Sequence, residues 1–242
     1  MIPIIVLSVI FFGIGFILNK NNAKYLLSGY NTMSDIEKEF YDLEVFLVFN
    51  RKFHLFLSLS LFVLASILHY SVSAIWSGIF LVVYPLIAYS FFIWKSSTYY
   101  RGNSKKRKAI NYVSIFFMIA VLIYIVFDLS KTLKDNQILI HSNSIEITGE
   151  YGIKISKDKI KLIKLVVSYP ELSHKSNGFS IGYVKKGQFI TNKNTKVKLL
   201  INSQKTPLIL IITKDNLEIY YSSKNKSNQD IYKKMVLILK NT

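Results

Sequence analysis

KKRKAINYVSIFFMIAVLIYIVFDLSKTLKDNQILIHSNSIEIT, residues 105–148, carries the change of composition that decides the fold. It opens on four consecutive cations, then runs from Ile110 to Leu129 with no charge before Asp128. At about 1.5 Å of helix per residue such a run reaches across a hydrocarbon core of roughly 30 Å. From Ile138 the apolar residues change to a period of two, and in Ser144 to Thr148 they put Ile145 and Ile147 on one face of a strand. A membrane helix therefore hands over to a β-rich tail near Leu129, and the two sides of that point call for separate reading.

Upstream lie three more apolar runs, Ile2–Leu18, Phe53–His69 and Ala74–Trp94. The first is followed, not preceded, by Lys20 and Lys24, the reverse of a signal peptide, so it counts as a span. The second and third are joined by the uncharged Tyr70–Ser73 and form a helical hairpin. The expectation is an α-helical membrane domain of four transmembrane helices over residues 1–130. Lys95, Arg101, Lys105, Lys106, Arg107 and Lys108 between spans three and four meet no acidic residue, which puts loops 95–109 and 19–52 on the cytoplasmic side. The fourth crossing then places the tail outside. Inside the spans polar groups are sparse: His54 and His69 stand at the ends of the second, and Asp128 is near the interface, a poor basis for a transport path.

Downstream, residues 138–242 form a soluble, mostly-β domain. Short β-prone stretches fall at Ser144–Thr148, Tyr151–Ile155, Lys161–Val167, Phe179–Val184, Lys196–Ile201, Leu208–Ile212 and Leu217–Tyr221. The turn signals between them are Gly149, Lys157-Asp158, Asn177-Gly178, Lys186-Gly187, Asn192–Asn194, Pro207 and Lys214–Asn216. A last helical segment, Gln229–Leu239, sets Ile231, Met235, Ile238 and Leu239 on one face. That makes about seven strands and a C-terminal helix.

Between the first two spans the chain reads Leu27-Ser28-Gly29-Tyr30-Asn31-Thr32-Met33-Ser34-Asp35-Ile36-Glu37-Lys38-Glu39-Phe40-Tyr41-Asp42. Ser34 and Glu37 have capping-box spacing, and Gly29 and Asn31 are turn formers, which predicts a turn leading into an amphipathic juxtamembrane helix. This loop resembles the signature of small, uncharacterised bacterial membrane proteins, over roughly residues 1 to 108. The resemblance implies topology and no activity. In the tail, seven strands closed by one helix, with Ile145–Ile160, Asn177-Gly178 and Lys186–Phe189, are similar to a bacterial membrane-tethered pleckstrin-homology-like domain. The phosphate-binding loop of that fold has its counterpart in Gly149–Gly152, where Glu150 replaces the cations that lipid phosphate requires.

The formal charge of +17 divides unevenly, +5 up to Ser130 and +12 beyond, and the tail contains no Arg. Lysine without arginine favours anionic surfaces over sequence-specific nucleic-acid readout. Cysteine is absent, which excludes disulfides and thiolate chemistry. His141 and His174 lack ligand-spaced partners, and no Gly-rich phosphate loop or metal-ligand spacing occurs, so no catalytic, cofactor-binding or metal residue is assigned. Candidate interaction residues are Tyr30, Asn31, Thr32, Glu37 and Asp42 in the loop and Lys185, Lys186, Lys193, Lys196 and Lys198, which would form a basic edge of the tail.

The expected function is a non-enzymatic integral membrane protein of a bacterial cell envelope. It would be embedded in the lipid bilayer and present its extracytoplasmic domain to a protein, peptide or surface polymer. Self-protection against a bacteriocin or secreted toxin is the alternative. A transporter or an enzyme would need a converging polar cluster.

Overall fold

The computed structural model describes residues 1–27, 29–102 and 105–240, with side chains to Leu237. Ser28 of the loop and the side chains of Ile238 and Leu239 lie outside the described residues. The chain divides into two compact units, Met1–Ile125 and Val126–Thr242, with the division inside a helix.

The first unit is helical: α1 Ile2–Ile17, the short α2 Ala23–Leu26 and α3 Asp35–Glu39, then α4 Leu43–Ile67, α5 Ala74–Ser97 and α6 Lys105–Thr132. Helix α4 runs on through a π-helical turn, Leu68–Val72. Three helical segments, Leu43–Val72, α5 and α6, are long and apolar enough to cross a membrane, whereas α1 has 16 residues and is shorter. Helix α4 begins ten residues before the apolar run that marked it in sequence. Arg51 and Lys52 end that run, but a backbone helix tolerates them: both are exposed, and the Arg51 guanidinium lies 5.3 Å over the Phe16 ring. His54 consequently sits well inside α4 and is buried, not at its end.

Helices α1 and α4 run antiparallel. Ser58 Oγ donates to the Ser8 carbonyl at 2.8 Å, and a Cβ added at Gly15 would lie 3.2 Å from that of His54. Bilayer lipid gives apolar helices little reason to associate, so close backbone approach and interhelical hydrogen bonds must hold them. The small residues Ser8, Gly15, Ser58 and Ala65 are all buried. Between α4 and α5, Ser77 Oγ donates to the Ala65 carbonyl at 2.9 Å and the Ser60 and Tyr84 hydroxyls meet at 2.7 Å.

The second unit contains nine strands, not seven. A three-stranded antiparallel sheet holds β1 Ile138–Ile140, β2 Ser144–Ile147 and β3 Ile153–Ser156. A six-stranded sheet follows, built from β4 Ile160–Val166, β5 Leu172–Ile181, β6 Val184–Thr191, β7 Lys196–Ile201, β8 Leu208–Thr213 and β9 Glu218–Ser222. Its order is β4-β8-β9-β7-β6-β5, and β7 pairs with β9 in parallel. Helix α7, Asn228–Lys240, packs on β4 and β8. One apolar core joins Ile145, Ile147 and Ile155 to Leu200, Ile209, Tyr221, Ile231 and Met235. A second, on the opposite face of the large sheet, joins Phe189, Val197, Leu199, Ile201, Leu208, Leu210 and Tyr220.

The stretch Phe179–Val184 is not one strand. It contains the hairpin turn at Gly182-Tyr183, while Asn177-Gly178 and Lys186-Gly187, expected as turns, lie within β5 and β6. Gly178 and Gly187 are paired across the ladder. The glycines serve close backbone approach rather than chain reversal: a Cβ on Gly178 would lie 2.2 Å from the Lys186 carbonyl oxygen.

Candidate functional site

The loop that follows α1 and the loop between α5 and α6 meet at one end of the helical unit. Tyr41 and Tyr100 form an antiparallel bridge. On either side of it the Asp42 N–H donates to the Tyr99 carbonyl at 2.9 Å and the Arg101 N–H to the Phe40 carbonyl at 2.8 Å. Two ion pairs close over the bridge. Arg101 Nη2 stands 2.6 Å from Asp42 Oδ2, and Arg107 brings Nε and Nη2 each to 3.2 Å from the two Glu37 carboxylate oxygens. Arg107 Nη1 also donates to the Gly29 carbonyl at 3.3 Å, and its guanidinium lies 5.1 Å from the Tyr100 ring centre. Arginine suits this place because its planar fork satisfies a carboxylate and a carbonyl while stacking on a ring.

The sequence dictates much of that geometry locally. The expected capping box is present: the Ser34 side chain accepts from the Glu37 N–H at 3.2 Å and Glu37 Oε2 accepts from the Ser34 N–H at 3.0 Å. The expected amphipathic helix is a single turn, α3, because the chain must reverse at Phe40 to enter the bridge. Gly29 takes φ +88°, a conformation open to glycine at no steric cost. The Arg107 hydrogen bond, then that from the Ser34 backbone, hold the Glu37 carboxyl below the ordinary carboxylate range. Burial pushes the Tyr41 phenol up, with Tyr99 and Tyr30 adding to it.

Behind the bridge stands an aromatic wall. Tyr30 and Phe46 lie 5.3 and 5.7 Å from the Tyr41 ring, and Phe46 in turn lies 6.0 Å from Phe92 and 5.9 Å from Tyr99. This wall and the start of α6 enclose a cavity of about 610 Å³. Tyr30 and Thr32 line it, Glu37 and Asp42 pin its rim, and Asn31 is exposed. Sequence reasoning missed Arg101, Arg107, Tyr41, Phe46 and Phe92. The available signal was charge: loops 19–52 and 95–109 were expected on one side, and Glu37 and Asp42 of the first take their partners from the cations that follow span three.

A polar relay also crosses the helices. His54 Nδ1 lies 2.8 Å from the Asn50 carbonyl of its own helix and Nε2 lies 3.0 Å from the Tyr89 hydroxyl. A carbonyl accepts only, so Nδ1 carries a proton and Nε2 pairs with the Tyr89 hydroxyl. The arrangement staples α4 to α5.

The tail lysines do not form a basic edge. β6 and β7 are interior strands, and the edges of the large sheet are β4 and β5. Successive residues face opposite sides of a strand, which separates Lys185 from Lys186. Lys193 and Lys196 are exposed, Lys185 and Lys198 half-buried, and Lys186 fully buried, its ammonium donating to the Lys134 carbonyl. His141 does acquire a carboxylate: Glu146, across the β1–β2 hairpin, brings Oε2 to 3.3 Å of Nε2.

Burial lowers Lys186 to about 8, with Asp135 and Glu150 opposing the shift. An unfolded lysine keeps its proton to a higher pH, so the unfolded chain binds more protons between about pH 8 and 10.5, and stability rises with pH through that window. Lys186→Met is expected to stabilise the tail by roughly 1–2 kcal/mol at pH 7 and to flatten this rise. Denaturant titrations followed by tail hydrogen exchange at pH 7 and pH 10 measure both effects.

The helical unit is thus a membrane bundle with a clasped loop pair at one end. Residues 5–100, which cover the loop, α4 and α5, match a family described as a domain of unknown function (DUF3784). No curated protein and no solved structure matches the chain.

Proposed function

We propose that the chain is a non-enzymatic, multi-pass membrane protein of a bacterial envelope whose helical unit anchors a β-rich domain that engages a protein or peptide partner outside the cytoplasm. The observation that carries this reading is the open edge of the large sheet. β5 is a ten-residue edge strand with its residues from Ser173 to Asn177 exposed; although its pairing with β6 shifts register twice there, its outer N–H and C=O groups can hydrogen-bond an added strand. The pleckstrin-homology-like reading of the tail keeps the support of its mostly-β make-up and terminal helix, though the strands number nine where that reading had seven. In the helical unit, the titratable groups of the clasp and His54 all have structural partners, which favours an anchor over an enzyme.

A fourth span is supported by the depth of α1. Its Gly15 lies level with Arg51 and His54 and its Ser8 with Ser58, so at about 1.5 Å per residue Met1 comes level with Ala65. The side of the tail does not depend on α1. It rests on the basic 95–109 loop staying inside and on α6 crossing.

The absence of native cysteine permits a direct test. Single cysteines at the exposed Lys193 and Glu39 are placed in otherwise unaltered protein in intact cells. Position 193 is expected to react with a membrane-impermeant maleimide, and position 39 only after permeabilisation. Labelling of 39 alone would put the tail in the cytoplasm and sink an external partner.

A further inference from the structure

The cavity behind the clasp has a graded lining. Along α6 the lining residues run from Arg107 and Lys108, through Ile110, Asn111 and Tyr112, to Ser114 and Ile115 deeper; along α5 they run from Ser97 and Ser96 through Trp94 to Ile93 and Phe92. Polar groups gather where the helices leave the apolar layer, and apolar groups line the part that lies within it. Its volume, about 610 Å³, falls in the range of small-molecule sites, and no carboxylate is among its described lining residues.

The charge around it is weighted toward cations, with the Glu37 and Asp42 carboxylates at the rim paired to Arg107 and Arg101. Residues 19–52 carry five cations and five anions, whereas residues 95–109 carry six cations and no anion. Four of those six open α6, whose first turn holds no acidic residue, although the positive end of a helix dipole favours anions. A site polar and cationic at the interface, apolar toward the bilayer and open between helices is complementary to one class of ligand.

We propose that this cavity binds an anionic phospholipid. Its headgroup phosphate would lie against Arg107, Lys108 and the Asn111 amide, and the start of an acyl chain would run along Phe92, Ile93 and Ile115. Arg107 is already held by Glu37 and the Gly29 carbonyl, so the clasp fixes one cation of the site before lipid arrives. The clasp accordingly positions the site, and the lipid ties the α5–α6 loop to the bilayer surface. This inference rests on membrane insertion of α4, α5 and α6, which the labelling experiment tests separately.

The chain supplies its own reporter, because Trp94 lines the cavity and the second tryptophan, Trp76, lies near the other end of α5. Full-length protein carrying Trp76→Phe is reconstituted in phosphatidylcholine bilayers containing increasing fractions of brominated phosphatidylglycerol or, in parallel, brominated phosphatidylcholine. Half-maximal quenching of Trp94 is expected at a several-fold lower fraction of the glycerol lipid. Lys108→Gln should reduce that preference. Ser114→Phe, which keeps every charge and fills the cavity, should abolish it. Equal quenching by the two lipids would overturn the proposal. So would a preference that survives Ser114→Phe in folded protein, since it would then belong to the basic surface rather than to the cavity. Displacement of brominated lipid by added soluble protein, with no preference for the anionic lipid, would assign the cavity to a protein partner instead.

Discussion

Gly187→Val is expected to unfold the β-rich unit or to detach its β5–β6 hairpin, at a cost of about 4 kcal/mol or more. Two independent penalties meet there. Gly187 has φ +112°, outside the range that a side-chain-bearing residue adopts without strain, and a Cβ would lie 2.3 Å from the Asn177 carbonyl oxygen and 2.5 Å from the Gly178 Cα. The neighbours in the way are backbone, so no rotamer change relieves the contact. β6 is an interior strand that also supplies Phe189 to the second core, and displacing it opens both the β5 and β7 ladders. Gly182→Asn is the matched control: φ +54° in an exposed turn suits asparagine, and the cost should stay below about 1 kcal/mol. Amide hydrogen exchange of the full-length variants in detergent reads the difference, with protection lost across β5, β6 and β7 in the first and retained in the second. A protected Gly187→Val would mean that the close Gly178–Gly187 approach carries no weight.

The same glycines show where sequence legibility ended. Hydrophobic period marked the apolar helices and most of the strands because burial writes itself into residue type: Ile145 and Ile147 of the small sheet and Val197 and Leu199 of the large one are all buried. Asn-Gly and Lys-Gly are written identically whether they reverse the chain or let two strands approach, and only the partner strand decides. β1 was missed because its three residues are half-buried or exposed and follow directly on the linker. The start of α4 was missed because absence of charge is a condition for crossing lipid, not for being helical.

At the clasp, the local half of the geometry was legible and the long-range half was not. Ser34 and Glu37 announce a helix start from three residues' separation, and the structure contains that capping box. Glu37 nevertheless has a second employment, with Arg107, seventy residues away, and nothing in the spacing encodes such a partner. The first loop looked like a docking surface because the partners of Glu37 and Asp42 lay beyond two spans. The buried lysine gives the converse lesson. Lys186 has the composition of a solvated face but stands opposite Leu200 in the ladder, where strand register, not residue type, sets its surroundings.

Asn136→Ala is expected to cost the β-rich unit about 1–3 kcal/mol, through two part-buried carbonyls left without their donors. Residues 133–137 follow the last residue of α6, and four of them, Lys134 to Gln137, are bonded into the unit. Asn136 is fully buried: its Nδ2 donates to the Thr148 carbonyl at 2.6 Å and the Glu150 carbonyl at 3.0 Å, and its own carbonyl accepts from the Tyr221 hydroxyl at 2.7 Å. One side chain thereby ties the end of β2 and the turn after it, while its backbone reaches β9. Asp135 beside it accepts from Ser223 Oγ at 2.8 Å and from the backbone N–H groups of Lys224 and Asn225, holding the turn that precedes α7. Alanine at 136 removes both side-chain donors and supplies none. Aspartate should be worse, because it sets a carboxylate against two carbonyls. Asp135→Asn keeps an acceptor in a half-buried place and should cost about 1 kcal/mol. Limited proteolysis of full-length protein orders the three, with cleavage expected first at the turn beyond Thr148 and around residues 223–227. If Asn136→Ala resists protease as well as the parent, the segment leaving α6 is a slack tether and the polar knot around Tyr221 is incidental. If the order holds, Asn136 is the residue that fastens this segment to the turn after β2 and to β9.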